Sequence, residues 1–204
     1  MKRHFELTEE FKINFLGVKL FRIKATIKSK YAEVGDLGGW IEKEENLSDN
    51  AWVYGDAEVH GNALVHGNAR VSGNAWVYGD AEVYGNAWVY DNAWVSGDAW
   101  VSDNAWVYGD AWVYGYALVH GNARVSDNAD TKSNNDYCCF QNFGSSNRTT
   151  TFFKEKNSKV KVSCGCFSGS IEEFEKRVKE THGEGKNAKE YLSIIEVVKI
   201  KFGL

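Results

Sequence analysis

The sequence predicts a mainly β protein built around a coil of short parallel strands over residues 50–130. An N-terminal β-hairpin with a lead-in occupies 1–49, and a small α+β module occupies 131–204. Two observations predict this. Ala recurs at every sixth position from Ala51 to Ala129, fourteen times without an insertion. Val follows two residues later from Val53 to Val125, thirteen times, so the unit reads Asn/Asp-Ala-x-Val-x-Gly. The composition shifts at the same boundaries: seven of the eight Trp lie between Trp52 and Trp112, while all eleven Phe and all four Cys lie outside that stretch.

Taken in order, residues 12–16 and 18–25 read as the hairpin, turning at Asn14-Phe15-Leu16-Gly17, and 28–39 is a loop into the coil. Within each hexad, Ala and Val are two apart and share one side of a strand, while the residue between them faces outward. The Gly-Asn or Gly-Asp pair tolerates the positive φ of a tight corner. Three hexads close an 18-residue turn, giving about four turns in all. The rhythm fails at Asp130 and Thr131, and 132–136 is a polar linker. Beyond it, 137–140, 149–154 and 159–167 suggest a three-stranded meander. Two helices follow: one is capped by Ser168 or Ser170 and ends before Gly183, the other covers 187–201 with Tyr191, Ile194, Ile195 and Val198 on one side.

Charge separates the pieces as well. Residues 1–49 are neutral, 50–130 hold 2 basic and 10 acidic residues, and 131–204 carry a net +4, for −4 overall. The coil has no Lys, so the basic stripe that direct nucleic-acid binding requires is absent there. No run approaches the ~18 apolar residues of a membrane helix, and the charged start Met1-Lys2-Arg3 leads into no apolar signal segment. The expectation is a cytoplasmic protein without a membrane span.

The outward positions sort into three ladders with an 18-residue step. One reads Trp52, Arg70, Trp88, Trp106, Arg124; the next Glu58, Trp76, Trp94, Trp112; the third Leu64, Glu82, Trp100, Leu118. Tyr78 and Tyr114 mark one corner, and Tyr54, Tyr90 and Tyr108 another. Trp and Tyr can simply stack along exposed strands. Alternatively, contiguous exposed aromatics mark an interface. On the second reading the candidate binding residues are Trp76, Trp94, Trp112, Trp88, Trp106, Trp100, Tyr78, Tyr90, Tyr108 and Tyr114.

The unit Val53-Tyr54-Gly55-Asp56-Ala57-Glu58 and its successors resemble the hexapeptide repeat of left-handed β-helix proteins. The resemblance implies left-handed winding and a homo-oligomer, a trimer above other states. Gly35-Asp36-Leu37-Gly38-Gly39-Trp40-Ile41-Glu42 followed by Glu45-Asn46-Leu47-Ser48 resembles the lead-in of phage and prophage members often labelled putative transferases. Cys164-Gly165-Cys166-Phe167-Ser168-Gly169, with Glu172-Glu173-Phe174 and Thr181-His182-Gly183, resembles a C-terminal module of such phage proteins.

No catalytic, metal or cofactor site is expected. Cys138-Cys139 and Cys164-Gly165-Cys166 are poorly spaced for zinc and read as core cysteines, with 164 and 166 on one strand face. Acyltransferases of the resembled class use a His beside a coenzyme A groove, which makes His60, His66 and His120 the enzyme alternative, although exposed corner histidines with no special role are the favoured reading. The function expected is non-catalytic binding in a counter-defence setting. Its partner would be a host protein, or a nucleotide-like small molecule held by aromatic stacking. The acyltransferase and a structural phage component remain the alternatives.

Overall fold

The computed structural model describes residues 3–144 and 146–204. Hairpin strands β1 (Phe5–Ile13) and β2 (Lys19–Ala25) lead to β3 (Leu37–Ile41). Fourteen two-residue strands follow, β4 to β17, each starting six residues after the last from Trp52–Val53 to Asp130–Thr131. Every Ala and Val of the repeat is at most 1% exposed. That alternation fixes the register, because a one-residue slip would turn the whole apolar set outward.

Strand partners are 18 residues apart, as in Trp88↔Trp106 and Val89↔Val107, and all pairings within the coil are parallel. Three sheets result. The Trp52 face pairs β4, β7, β10, β13 and β16; the Glu58 face pairs β5, β8, β11, β14 and β17; the Leu64 face pairs β6, β9, β12 and β15. Corners turn on a left-handed residue, such as Gly73 (φ 71°), and where Asp replaces Gly it takes the same conformation, as at Asp91 (φ 60°) and Asp103 (φ 58°). The Asp side chain then accepts a hydrogen bond one turn on, Asp103 Oδ2 from the Gly121 N–H at 3.0 Å. The next corner residue forms amide ladders, in which Asn86 donates to Asn104 and Asn104 to Asn122 at 3.2 Å each.

The coil has about five turns rather than about four, because it runs past the Ala-x-Val repeat at both ends. At the start, Trp40↔Glu58, Ile41↔Val59 and Leu47↔Val65 pair in parallel. Gly39 occupies the Ala position there, where even a Cβ would come within 2.6 Å of Val53 and 2.8 Å of the Ala57 carbonyl. At the finish, Asp130 and Thr131 pair with Trp112 and Val113, and Thr131 fills the Val position fully buried. The segment expected as a polar linker is tied to the coil: Asn134 Oδ1 accepts from the Leu118 N–H at 2.9 Å.

β2 pairs antiparallel with both β1 and β3, so the hairpin extends the Glu58 face. Phe5, Ile23 and Ala25 join the coil's core cluster at that end. At the other end, Tyr137 and Phe153 join it from the C-terminal sheet. That sheet has four strands, not three: β18 (Tyr137–Phe143), β19 (Arg148–Lys154), β20 (Val160–Cys164) and β21 (Phe167–Ser170), in sequence order. A turn at Gly165 (φ 63°) reverses the chain where one continuous strand was expected.

Helix α1 (Ile171–His182) starts at a capping box, Ser170 Oγ accepting from the Glu173 N–H at 3.2 Å while Glu173 accepts from the Ser170 N–H at 2.8 Å. Helix α2 (Lys186–Phe202) ends at Gly203 in the left-handed region. Phe152, Phe174, Tyr191, Ile195 and Val198 form a second core between the helices and this sheet. Among the described residues no helix is long and apolar enough to cross a membrane.

Candidate binding faces of the coil

The aromatic candidates divide among three faces and do not form one site. On the Glu58 face, Trp76, Trp94 and Trp112 stack nearly parallel, with centroids 5.3 and 5.2 Å apart and interplanar angles of 6° and 10°. The 18-residue register places identical side chains directly above one another, and successive indoles therefore share faces. Both ends of the stack are closed. Phe15, from the hairpin turn, lies on Trp76, and Lys156, from the turn between β19 and β20, stands 4.0 Å over Trp112. Glu58 is buried beneath the hairpin, paired with Lys12 at 2.9 Å and accepting from Asn14 Nδ2 at 3.0 Å.

On the Trp52 face the ladder mixes cations with rings. Arg70 lies 4.1 Å from the Trp88 ring centre and Arg124 4.6 Å from that of Trp106, while Trp88 Nε1 donates to Ser72 Oγ at 2.9 Å. Trp52 itself is fully buried, against His4. Alongside, Tyr90 and Tyr108 stack at 4.9 Å, and burial, reinforced by the neighbouring Tyr108 and Asp91, pushes the Tyr90 phenol up to about 12. At the corner after the Glu58 face, Tyr78 stacks on His60 at 5.2 Å. Tyr114 is half-buried nearby, its pKa raised by burial and then by a hydrogen bond to Asp130.

The Leu64 face is the barest. Leu64, Trp100 and Leu118 are 43%, 46% and 38% exposed, and Tyr116, in the corner beside Leu118, is 76% exposed. Its one acidic strand residue, Glu82, is held by His66 Nε2 at 2.8 Å. The list of binding residues drawn from sequence contained Trp100 but not Leu64, Leu118 or Tyr116. The signal for Tyr116 was available: it is the only aromatic among the Asn/Asp positions of the repeat.

The histidines do not converge. His60 is buried rather than exposed at its corner, and burial lowers its pKa against the raising effect of Glu58 and Glu42. His66 is engaged by Glu82 and stacked on Tyr84 at 5.1 Å, and His120 is exposed. No hexad between Ala51 and Ala129 is interrupted by a loop that could wall a substrate groove. Cys164 is buried at the end of β20, and Cys166 is exposed in the turn, so the two do not share a strand face. Among the described residues no group of three or more His, Cys, Asp or Glu side chains is placed to hold a metal ion.

No curated protein matches the chain. Residues 65–79 and 81–97 match the family model described as the YdcK beta solenoid repeat. That match falls on the central hexads, and with the parallel 18-residue register around it, it supports a β-helix repeat family for this chain.

Proposed function

We propose that the chain is a non-catalytic binding scaffold. In this reading the coil winds left-handed, as the hexapeptide resemblance implies. The hairpin and the C-terminal sheet act as end caps that keep open strand edges from pairing with further chains. Copies associate side by side through the Leu64 face, three to an assembly. The remaining aromatic faces are presented to a macromolecular partner.

One observation carries the self-association: Trp100, Leu118 and Tyr116 lie together and exposed on this face, with Leu64 exposed beyond Glu82, whose carboxylate is hydrogen-bonded to His66. A contiguous apolar surface of this kind is favourable to cover. The strand positions of this face carry one of the ten acidic residues of 50–130, Glu82, which limits the repulsion that the net −8 of that stretch raises at the contact.

A macromolecular partner suits the other faces better than a stacked nucleotide. Each indole of the Glu58 ladder already has ring neighbours at 5.2–5.3 Å, which leaves edges rather than open faces for contact. The resemblance to phage proteins makes a host factor the expected partner, with the acidic rod as the surface offered to it.

Native mass spectrometry at micromolar concentration tests the assembly. The expected mass is three times 22.9 kDa, falling to 22.9 kDa when Trp100→Glu and Leu118→Glu are combined, while Trp94→Glu leaves the trimer intact. A wild-type protein that flies only as a single chain, or a trimer that Trp94→Glu breaks and the double substitution does not, would overturn the assignment.

A further inference from the structure

The C-terminal module holds a cleft of about 750 Å³ between α1, the tips of its sheet and α2. That volume is in the range of small-ligand sites. Its wall is aromatic: Phe167 packs on Phe174 with centroids 5.2 Å apart, and Phe174 meets Tyr191 edge-on at 5.6 Å. Its charge is mixed with a positive excess, Arg148, Lys176 and Arg177 against Glu173 and Glu180. Arg3 and Arg22 make ion pairs elsewhere in the chain, whereas Arg148 and Arg177, which both line the cleft, have no carboxylate partner among the described residues. The acids at the cleft are already engaged, Glu173 by the Ser170 N–H and Glu180 by Lys176 at 3.9 Å.

Arg148 is also placed by the fold. It lies across the Gly165 turn, where a Cβ would come within 2.3 Å of Nη1, so a larger residue there would push the guanidinium from its present position. At φ 63° that turn favours glycine on backbone grounds too.

We propose that this cleft is a binding site for a small aromatic phosphate monoester, with the phosphate held by Arg148 and Arg177 and the ring lying against Phe167 and Phe174. Two guanidiniums supply two positive charges and paired donors, which match a monoester dianion of about −1.5 to −2 at pH 7 better than a single carboxylate. The rings supply the apolar surface that inorganic phosphate would leave bare. The site lies outside the aromatic faces of the coil and does not depend on their assembly.

Titration calorimetry with the full chain tests it, using phenyl phosphate, adenosine 5′-monophosphate and inorganic phosphate as probes. Saturable binding of either ester, with inorganic phosphate at least about tenfold weaker, is expected. The tighter of the two esters then distinguishes an aryl from a nucleoside phosphate. Arg177→Ala, at an exposed helix position, should weaken ester binding about tenfold or more without moving the melting temperature. Gly165→Ala should also weaken ester binding by displacing Arg148, together with a lowered melting temperature from the positive φ of that turn, and Arg148→Lys should bind more weakly than wild type because it loses the bidentate fork. No saturable binding of either ester, inorganic phosphate binding as tightly as both, or an Arg177→Ala protein that binds like wild type would each overturn the proposal.

Discussion

Phe15 lies on Trp76 with ring centroids 4.4 Å apart and planes 25° from parallel, so a residue at the tip of the N-terminal hairpin continues the indole stack of a coil strand more than sixty positions away. This contact couples hairpin to coil beyond the backbone pairing of β2 with β3. Aromatic pairs of this kind contribute about 0.5–1.5 kcal/mol, and the lower end applies here because Phe15 is largely exposed. Phe15→Ala should therefore lower stability by about 0.5 kcal/mol and shift the Trp emission of the ladder. Urea unfolding followed by fluorescence measures both, and an unchanged emission spectrum would show that the ring does not stack in solution.

The corner aspartates offer a sharper comparison. Asp103 sits at φ 58°, where side chains other than Asn and Asp are strained, and its carboxylate accepts the Gly121 N–H at 3.0 Å. Asp103→Gly loses that bond but adopts the left-handed conformation without steric cost, and should change stability by no more than about 0.5 kcal/mol. Asp103→Ala loses the bond and introduces strain at this φ, and should cost about 1–2 kcal/mol. Chemical denaturation of the two variants side by side decides it. If Ala proved as good as Gly, the positive φ would not be a constraint at that corner.

His60 makes stability depend on pH. Its folded pKa lies below the ordinary 6.5, chiefly because burial disfavours the charged ring, and its Nε2 has no hydrogen-bond partner among the described residues. The unfolded chain therefore binds the proton more readily. The stability that the neutral ring contributes is fully present above pH 6.5 and is lost as pH falls through the depressed folded value. His60→Tyr, which copies the corner residue Tyr78 one turn on, should flatten the melting temperature between pH 7 and pH 5 relative to wild type. Parallel slopes for the two proteins would exclude His60 as the source.

The periodic part of this fold was legible because the repeat encodes the same local choice at each position: small and branched residues inward, Gly or Asp at the corner. Legibility ended where a different residue meets the same requirement. Gly39 and Ile41 occupy interior positions without spelling Ala-x-Val, so the loop reading of 28–39 runs over Gly39 and leaves the turn that begins there uncounted. Gly165 hides a reversal inside an apolar run, because its single left-handed residue gives no composition signal. The three aromatic ladders follow from counting by eighteen. Which ladder is covered does not, since Phe15 and Lys156 reach the Glu58 face from segments the repeat does not contain. The cleft beside Arg148 escaped for the same reason: its walls come from five separate elements.

Thr131 tests the most economical of these substitutions of one residue for another. It sits in the Val position of the last turn, pairs with Val113, is fully buried, and its Oγ1 has no hydrogen-bond partner among the described residues. Thr and Val have nearly the same shape, so the coil accepts the replacement sterically, but the hydroxyl gives up its water on folding and recovers no bond. Thr131→Val removes that loss and adds a methyl to the core, and should raise stability by about 1 kcal/mol. The gain should appear as an increased urea midpoint with an unchanged slope, because the surface exposed on unfolding is the same. A destabilised variant would mean that the hydroxyl is bonded in solution, through a buried water at the junction between coil and C-terminal sheet.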